Sequence, residues 1–408
     1  MAIDSSFDPA ANLPGNSPIA NPFMSSGPVS QEPIGKADGP YRVRFTGTGA
    51  EYFGIWIVNM LLIVITFSIY SSWAKVRREK YFHQHTLIDG SALDYHGNPI
   101  SILIGRILAL GLIILASAKD FSFFLAAIAG LSIAAILPFA MQRSIRFRLF
   151  NTSYRGLRFG FHGTVAQAYK ISCLIVVLGV GAFVAPTWID EIGEGGKSAQ
   201  QLYWMFGLAY AGLLIVYPFF HAAWRMFCIG NAHYGSVNTQ AKFTITSFIL
   251  VYLKSGLLLG IIPVVGLGAL ITMSGSFSLF SGFASITIAI IIYACLLSYL
   301  PLVGAKLQNL CWNKNTVVVD AAGNQIAEFT SDLIPRAFVL LQLKNLVLTV
   351  LTLGLYRPYA AIASARMRLE AISISNIAFV DEIAARDGSQ KSAVGDEALD
   401  AIGLDFSL

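Results

Sequence analysis

The stretch from residue 255 to residue 305, SGLLLGIIPVVGLGALITMSGSFSLFSGFASITIAIIIYACLLSYLPLVGA, contains no Asp, Glu, Lys or Arg. A membrane-spanning helix needs about 20 mostly apolar residues, so this run is long enough for two crossings. Only 12% of the 408 residues are charged, about half the fraction usual in soluble domains. Four further stretches lack charged residues altogether: 52–74, 121–142, 171–189 and 198–224. The chain is therefore predicted to be a polytopic membrane protein.

The apolar stretches group into three predicted helical hairpins, at residues 100–140, 170–222 and 246–304. Two related end segments, 52–72 and 337–356, could either span the bilayer or enter it and return. The predicted fold class is thus an all-α polytopic membrane protein. It has three helical hairpins and two end segments, with short cytoplasmic β elements after the hairpins.

The distribution of basic residues predicts the orientation, because Lys and Arg are enriched in cytoplasmic loops. Seventeen of them follow the first apolar segment and the three hairpins, whereas only Lys119 and Lys197 lie at hairpin tips. The basic face is therefore predicted to be cytoplasmic. If the end segments dip in and return, all basic clusters lie on that face. This favours re-entry for 337–356 and leaves both arrangements open for 52–72.

An internal repeat runs through the predicted cytoplasmic stretches. After both Ser72 and Pro138, an Arg follows at five residues, a Thr at 14, and Gly at 18 and 25. Leu157, Phe159 and Phe161 then alternate with polar or small residues, which is the spacing of a strand. The repeat therefore predicts one short β element after each helical pair.

Polar residues inside apolar segments are the first candidates for a functional site. Asn59 and Thr66 of the first end segment align with Asn345 and Thr352 of the second, and Lys344 adjoins them. These five residues are predicted to form an intramembrane polar site where the two segments meet. Hydrogen bonding between helices, worth about 0.6–2 kcal/mol, is the alternative explanation.

Three arginines that follow apolar segments, Arg77, Arg143 and Arg225, are predicted to contact anionic lipid head groups. Each basic residue near a bilayer surface contributes about 1 kcal/mol to such binding. The alternative is that they only set the topology. No catalytic motif, metal site or cofactor site is predicted, and the basic charge indicates lipid rather than nucleic acid as the partner.

Three parts of the chain differ in composition. Residues 1–40 are rich in proline and are predicted to be a disordered tail. Residues 41–371 are predicted to form the membrane domain with its internal repeats, and 372–408 an acidic tail. The membrane domain carries a net charge of +13, against +5 for the whole chain.

The opening of the membrane domain resembles the YjgN family of multi-pass bacterial inner-membrane proteins, which have no assigned function. The resemblance is carried by FTGTGAEYF at 45–53, Asn59, Thr66, YSSWAKVR at 70–77 and Thr86, and it extends over about 41–371. Ser68 and Ser72 depart from the glycine and proline of the family, which Gly354 and Pro358 keep. The resemblance implies an inner-membrane location and suggests a membrane zinc metallopeptidase as a partner.

These observations together predict a non-enzymatic inner-membrane protein. It would bind or move a lipid or another apolar small molecule between the repeated hairpins. The alternative is a scaffold or regulatory subunit of another membrane protein, such as a membrane zinc metallopeptidase. The sequence leaves the ligand and the oligomeric state open.

Overall fold

The computed structural model describes residues 40–117, 123–192, 197–273 and 279–383. The predicted N-terminal tail, 1–40, lies outside these ranges except for its last residue. Residues 384–408, most of the predicted acidic tail, also lie outside them. The first part of that tail, 372–383, is described and contains a strand and a helical turn.

The described helices form five consecutive pairs along the chain. They are α1 Gly49–Ile65, α2 Ser71–Gln84, α3 Pro99–Ser117, α4 Phe123–Phe150, α5 Val165–Ile192, α6 Lys197–Gly230, α7 Ile245–Met273, α8 Leu279–Trp312, α9 Pro335–Leu351 and α10 Arg357–Leu369.

Strands lie between the helical pairs and at both ends. They are β1 Tyr41–Arg42, β2 Arg44–Phe45, β3 Thr86–Ile88, β4 Ser91–Tyr95, β5 Thr152–Tyr154, β6 Leu157–Phe161, β7 Ala232–Tyr234, β8 Val237–Ala241, β9 Thr316–Val319, β10 Gln325–Ser331 and β11 Ile372–Ile374.

The prediction of an all-α fold is wrong, because these eleven strands join in one antiparallel sheet. The sheet is closed by the first strand segment. Arg42 pairs with Ser373 of β11, while Arg44, two residues later, pairs with Leu87 of β3. The two ends of the strand order are therefore joined through Val43, and we call the closed sheet the strand ring.

The hydrophobic core of the strand ring draws on almost every strand. Buried residues of β5 to β11 meet in one cluster, and residues of β1, β3 and β4 pack against it. The helical turn at 378–383 adds Val380 and Ile383 to the same cluster. Arg155 binds the carboxylates of Asp89 and Asp381, which fastens this turn to the β3–β4 and β5–β6 hairpins. The C-terminal turn thus completes the core of the ring.

At three of the five strand-to-helix junctions, an aromatic residue packs over a glycine two positions later: Phe45 over Gly47, Tyr95 over Gly97 and Phe161 over Gly163. A Cβ on Gly47 would lie 2.8 Å from the ring of Phe45, and one on Gly163 would lie 2.5 Å from the ring of Phe161. The junction between β8 and α7 reverses the sizes, with Ala241 before a buried Phe243. Conserving the summed volume in this way keeps the strand-to-helix junction filled.

Five described helical segments are long and apolar enough to cross a membrane: Pro99–Ser117, Phe124–Phe150, Val165–Val184, Ala211–Gly230 and Ala284–Trp312. The apolar start of α7, Ile245–Leu257, is shorter. Because every helical pair from α3 to α8 begins and ends at the strand ring, the ring lies on one side of the membrane.

The two end segments also return to the ring. The α1–α2 pair leaves from β2 and re-enters at β3, and these strands pair with each other. The α9–α10 pair leaves from β10 and re-enters at β11, which are likewise paired. α1 and α9 each have 17 residues, about 25 Å of helix, which is shorter than the 30 Å hydrocarbon core. Segments 52–72 and 337–356 therefore each lie in a short helical pair that leaves the ring and returns to it, which favours re-entry over a crossing.

Candidate functional site

The turns at the ends of the re-entrant pairs are closed by the same hydrogen bonds. After α1, the N–H of Phe67 donates to the carbonyl of Val64, and that of Ser68 to Ile63. Thr66 then accepts from the N–H of Tyr70 through its side-chain oxygen at 3.0 Å. The backbone N–H groups from residue 66 to residue 71 all have acceptors, so the turn can lie in hydrocarbon without unpaired donors.

The second turn repeats this arrangement. The N–H of Leu353 donates to Val350, and that of Gly354 to Thr349. Thr352 accepts from the N–H of Tyr356 at 2.9 Å. Phe67 and Leu353, the corresponding tip residues, are 92% and 95% exposed within the protein, and both have positive φ. Thr66 and Thr352 therefore hold the turns together, and each turn exposes an apolar residue at its tip.

Asn59 is buried in α1 and belongs to a polar pair within its own hairpin. Its side-chain oxygen accepts a hydrogen bond from the guanidinium of Arg77 on α2 at 3.3 Å. The side chain of Asn59 thus positions the guanidinium of Arg77, which lies 18 residues later in the sequence. The turn between α1 and α2 brings the two together.

Asn345, the counterpart of Asn59, is 3% exposed but has different neighbours. Its amide nitrogen lies 3.3 Å from Ser364 Oγ and 3.4 Å from the carbonyl oxygen of Ala360, both on α10. Lys344 is exposed beside it. Among the described residues, no hydrogen bond joins Asn59 to Asn345, so each amide serves its own re-entrant pair. A ligand site shared by both remains a prediction.

Arg77 also lines a cleft between α1, α2 and the start of α3. The cleft has a volume of about 380 Å³. Its second cation is Lys80, and its aromatic wall is formed by Tyr70 and Trp73, whose rings stack at 6.2 Å. Ile55 adds apolar surface from α1. Cations and an aromatic–apolar wall are thus combined in one concave surface.

The two cations and the aromatic pair occupy different depths along α2. Lys80 and Arg77 lie about 6 and 10 Å from the strand end of the helix, whereas Tyr70 and Trp73 lie near the turn. The cations therefore lie on the strand-ring side of the cleft, and the aromatic wall lies on the side of the turn.

Arg77 was predicted from the sequence, but its neighbours in the cleft, Trp73 and Lys80, were not. Trp73, Arg77 and Lys80 follow the i, i+4, i+7 spacing of one helix face. That spacing was the available signal for a shared surface. Their common surface became visible only when α2 was known to return along α1.

The other two predicted lipid-contacting arginines lie outside the cleft. Arg143 is exposed on α4, with its guanidinium 5.3 Å from the ring centre of Phe139. Arg225 is exposed on α6 and donates to His221 at 3.3 Å. Neither shares its surroundings with Arg77, so a contact of these two with head groups remains a separate prediction.

Comparison with known proteins gives a family match over most of the chain. Residues 40–401 match the DUF898 family, described as a bacterial protein of unknown function. The chain is also similar to the inner membrane protein YjgN of Salmonella typhimurium, with 26% identity over 224 residues, 51% of this chain and 55% of the relative.

Two further relatives are the inner membrane proteins YjgN of Escherichia coli O157:H7 and of E. coli K12. Each is 26% identical over 137 residues, 33% of this chain and 34% of the relative. The matched regions thus span about half of the Salmonella relative and about a third of the other two. No solved structure matches the chain.

Proposed function

Given that the chain belongs to the DUF898 family of bacterial proteins of unknown function, we propose that this multi-pass inner-membrane protein binds an anionic lipid without catalysing a reaction. The site is the cleft between α1, α2 and the start of α3. The observation that carries the proposal is that Arg77 and Lys80 line the strand-ring side of a cleft whose aromatic wall lies toward the turn. In a bilayer that contains the turn, the cations would lie on the head-group side of the aromatic wall. The strand ring is placed on the cytoplasmic side, as the basic residues predict.

The chemistry of the cleft favours a phospholipid with a negative head group. A phosphate accepts hydrogen bonds from a guanidinium in a bidentate manner and attracts an ammonium as a point charge. Asn59 holds the guanidinium of Arg77 from behind, which reduces the freedom lost when a lipid binds. The acyl chains would then lie along Trp73 and Ile55 toward the turn. The net charge of +13 on the membrane domain adds a general attraction for anionic lipid.

Retention of lipid by the full-length protein tests the proposal. The protein is reconstituted in nanodiscs of phosphatidylglycerol and phosphatidylcholine, and bound lipid is counted by native mass spectrometry. The wild type is expected to retain phosphatidylglycerol selectively. The double variant Arg77→Gln, Lys80→Gln should bind it about thirty-fold more weakly, since two cations contribute roughly 2 kcal/mol. The matched control is Arg146→Gln, an exposed cation of α4 outside the cleft.

Two single variants locate the site more closely. Asn59→Ala should lower retention in part, because Arg77 loses its anchor. Asn345→Ala should leave retention unchanged, and a loss in that variant would favour the shared polar site predicted from the sequence instead. If the wild type retains no lipid and a membrane protein co-purifies in fixed ratio, the scaffold function replaces this proposal.

A further inference from the structure

A second group of cations lies on the other face of α2, where this helix packs against α3. Lys75 and Arg77 are two positions apart and therefore point about 160° apart around the helix, so Lys75 faces away from the cleft at Arg77. Arg106 of α3 donates a hydrogen bond to the hydroxyl of Ser71, which lies one turn before Lys75 on the same face of α2. Two cations of neighbouring helices thus meet at the α2–α3 interface.

A third copy of the internal repeat follows Pro218, and it shows which side chains face each other. The residues three and 34 positions after the proline are His221 and Tyr252. They meet across the α6–α7 interface, with 2.6 Å between Nδ1 of His221 and the hydroxyl oxygen of Tyr252. In the first copy, the residues at these two positions are Lys75 and Arg106. An ammonium and a guanidinium therefore occupy the places of a hydrogen-bonded pair.

The charges around Lys75 are predominantly positive. Within the described ranges, its ammonium has neither a hydrogen-bond acceptor nor a carboxylate at ion-pair distance. The acid whose charge acts on it, Glu79, already binds Arg78 at 2.7 Å. Neither α3 nor α4 contains an Asp or Glu. Loss of hydration on burial lowers the pKa of Lys75, and three further charges lower it as well, those of Arg106, Arg78 and Arg148. The interface therefore favours an anion.

We propose that the α2–α3 interface binds a phosphate group between Lys75 and Arg106. A guanidinium offers a phosphate two parallel hydrogen bonds, and an ammonium attracts it as a point charge. Lys75 is half-buried and Arg106 is exposed, so the phosphate enters from outside and is partly shielded from water. It belongs either to a lipid head group or to a soluble ion. The site is independent of the cleft at Arg77, because it lies on the opposite face of α2.

Three variants isolate this phosphate site. Lys75→Gln removes the ammonium, and Arg106→Gln removes the guanidinium. Arg106→Glu instead places a carboxylate opposite Lys75, so that the protein supplies its own anion. The matched control is Lys254→Gln, which removes an exposed cation of α7 that belongs to neither site.

Binding is measured on the full-length protein in nanodiscs with two probes. In the lipid arm, phosphatidylglycerol retained from mixed nanodiscs with phosphatidylcholine is counted by native mass spectrometry. In the soluble arm, the nanodiscs contain phosphatidylcholine alone, and inorganic phosphate is titrated at constant ionic strength. A bound ligand raises the midpoint of thermal unfolding, which is the readout of that arm.

The wild type should bind the probe in at least one arm, and the arm identifies the source of the phosphate. Lys75→Gln and Arg106→Gln should each weaken this binding about ten-fold, as expected for a hydrogen bond between charged groups. Arg106→Glu should abolish it, whereas Lys254→Gln should leave it unchanged. Without either probe, Arg106→Glu should also raise the midpoint of thermal unfolding above that of the wild type, because Lys75 gains a counterion.

Four results would overturn the proposal. They are no binding of either probe by the wild type, equal weakening in the Lys254→Gln control, undiminished binding in Arg106→Glu, and a lower unfolding midpoint of that variant, which would give Arg106 a role in the fold alone. The double variant Arg77→Gln, Lys80→Gln should keep the binding between Lys75 and Arg106. A failure of the cleft at Arg77 is thereby distinguished from a failure of the α2–α3 site.

Discussion

Replacing the tip threonines with valine tests whether the re-entrant turns lie in the bilayer. Thr66→Val and Thr352→Val keep the shape and the branched Cβ of the side chain. Each removes the acceptor that one backbone N–H has among the described residues, that of Tyr70 or Tyr356. The carbonyl of Leu62, which the Thr66 hydroxyl contacts at 2.7 Å, still accepts from the backbone N–H of residue 66. The perturbation is thus one unpaired donor per turn.

The magnitude depends on whether water reaches that donor. A buried N–H that has lost its partner costs about 1–3 kcal/mol, because nothing replaces the acceptor. In contact with water, the same change should cost less than about 0.5 kcal/mol. We expect about 1–3 kcal/mol for each variant. The double variant should show the sum, since the two turns share no hydrogen-bond partner.

Equilibrium unfolding in lipid bicelles provides the measurement, with tryptophan fluorescence followed during titration with sodium dodecyl sulfate. Ser132→Ala is the matched control, because it removes a side-chain hydroxyl that donates to a helical carbonyl but leaves no N–H unpaired. It should change the free energy of unfolding by less than about 0.5 kcal/mol. If both threonine variants are as mild as this control, the tips are in water and the re-entrant arrangement is refuted.

Three further predictions concern the strand ring; the first two use the same unfolding assay, and the third adds amide hydrogen exchange. Gly163→Ala places a Cβ 2.5 Å from the ring of Phe161 and should cost about 1–3 kcal/mol, and a neutral outcome would contradict the tight packing proposed for that junction. Burial raises the pKa of Tyr154 to about 12 from 10.0, so its contribution to folding is complete below pH 10 and is lost as the pH rises toward 12. In the Tyr154→Phe variant, the free energy of unfolding should therefore fall less steeply between pH 10 and pH 12 than in the wild type. An unchanged slope would contradict the raised pKa of Tyr154. Arg155→Gln should speed amide hydrogen exchange at 378–383 while lowering overall stability by less than about 1 kcal/mol, and unchanged exchange would show that its ion pairs do not fasten the turn.

The membrane character and the family could be predicted from the sequence because they depend on long, redundant signals. A charge-free run of 51 residues needs no knowledge of distant contacts. The YjgN resemblance and the inner-membrane location, both expected from the sequence, are confirmed by the family match and the named relatives. These features survive many local exceptions, since no single residue decides them.

Short β elements were predicted from the sequence, but their closure into one sheet was not, because each strand is short and carries little signal by itself. Its strands have two to seven residues, and most of their partners come from another repeat. β6 pairs with β7 across more than 60 residues of helix, for example through Phe159 and Tyr234. Periodicity over five residues can suggest a strand but cannot say that eleven such pieces close on one another.

The candidate sites show the same limit at the level of side chains. Asn59 and Arg77 were both identified as candidates, but their hydrogen bond depends on the turn that returns α2 along α1. The matching threonines, by contrast, were predictable as equivalents because the repeat aligns them residue by residue.

Closure of the ring through Val43 has a consequence for synthesis of the chain. The first strand leaves the ribosome roughly 330 residues before β11, its partner. At about 5–20 residues per second, that interval lasts roughly 15–65 s. During this time each helical pair can insert and add its two strands to the growing sheet, but one edge stays open. Unpaired edges invite association with other chains, so the last strand ends the period in which the nascent protein is most vulnerable.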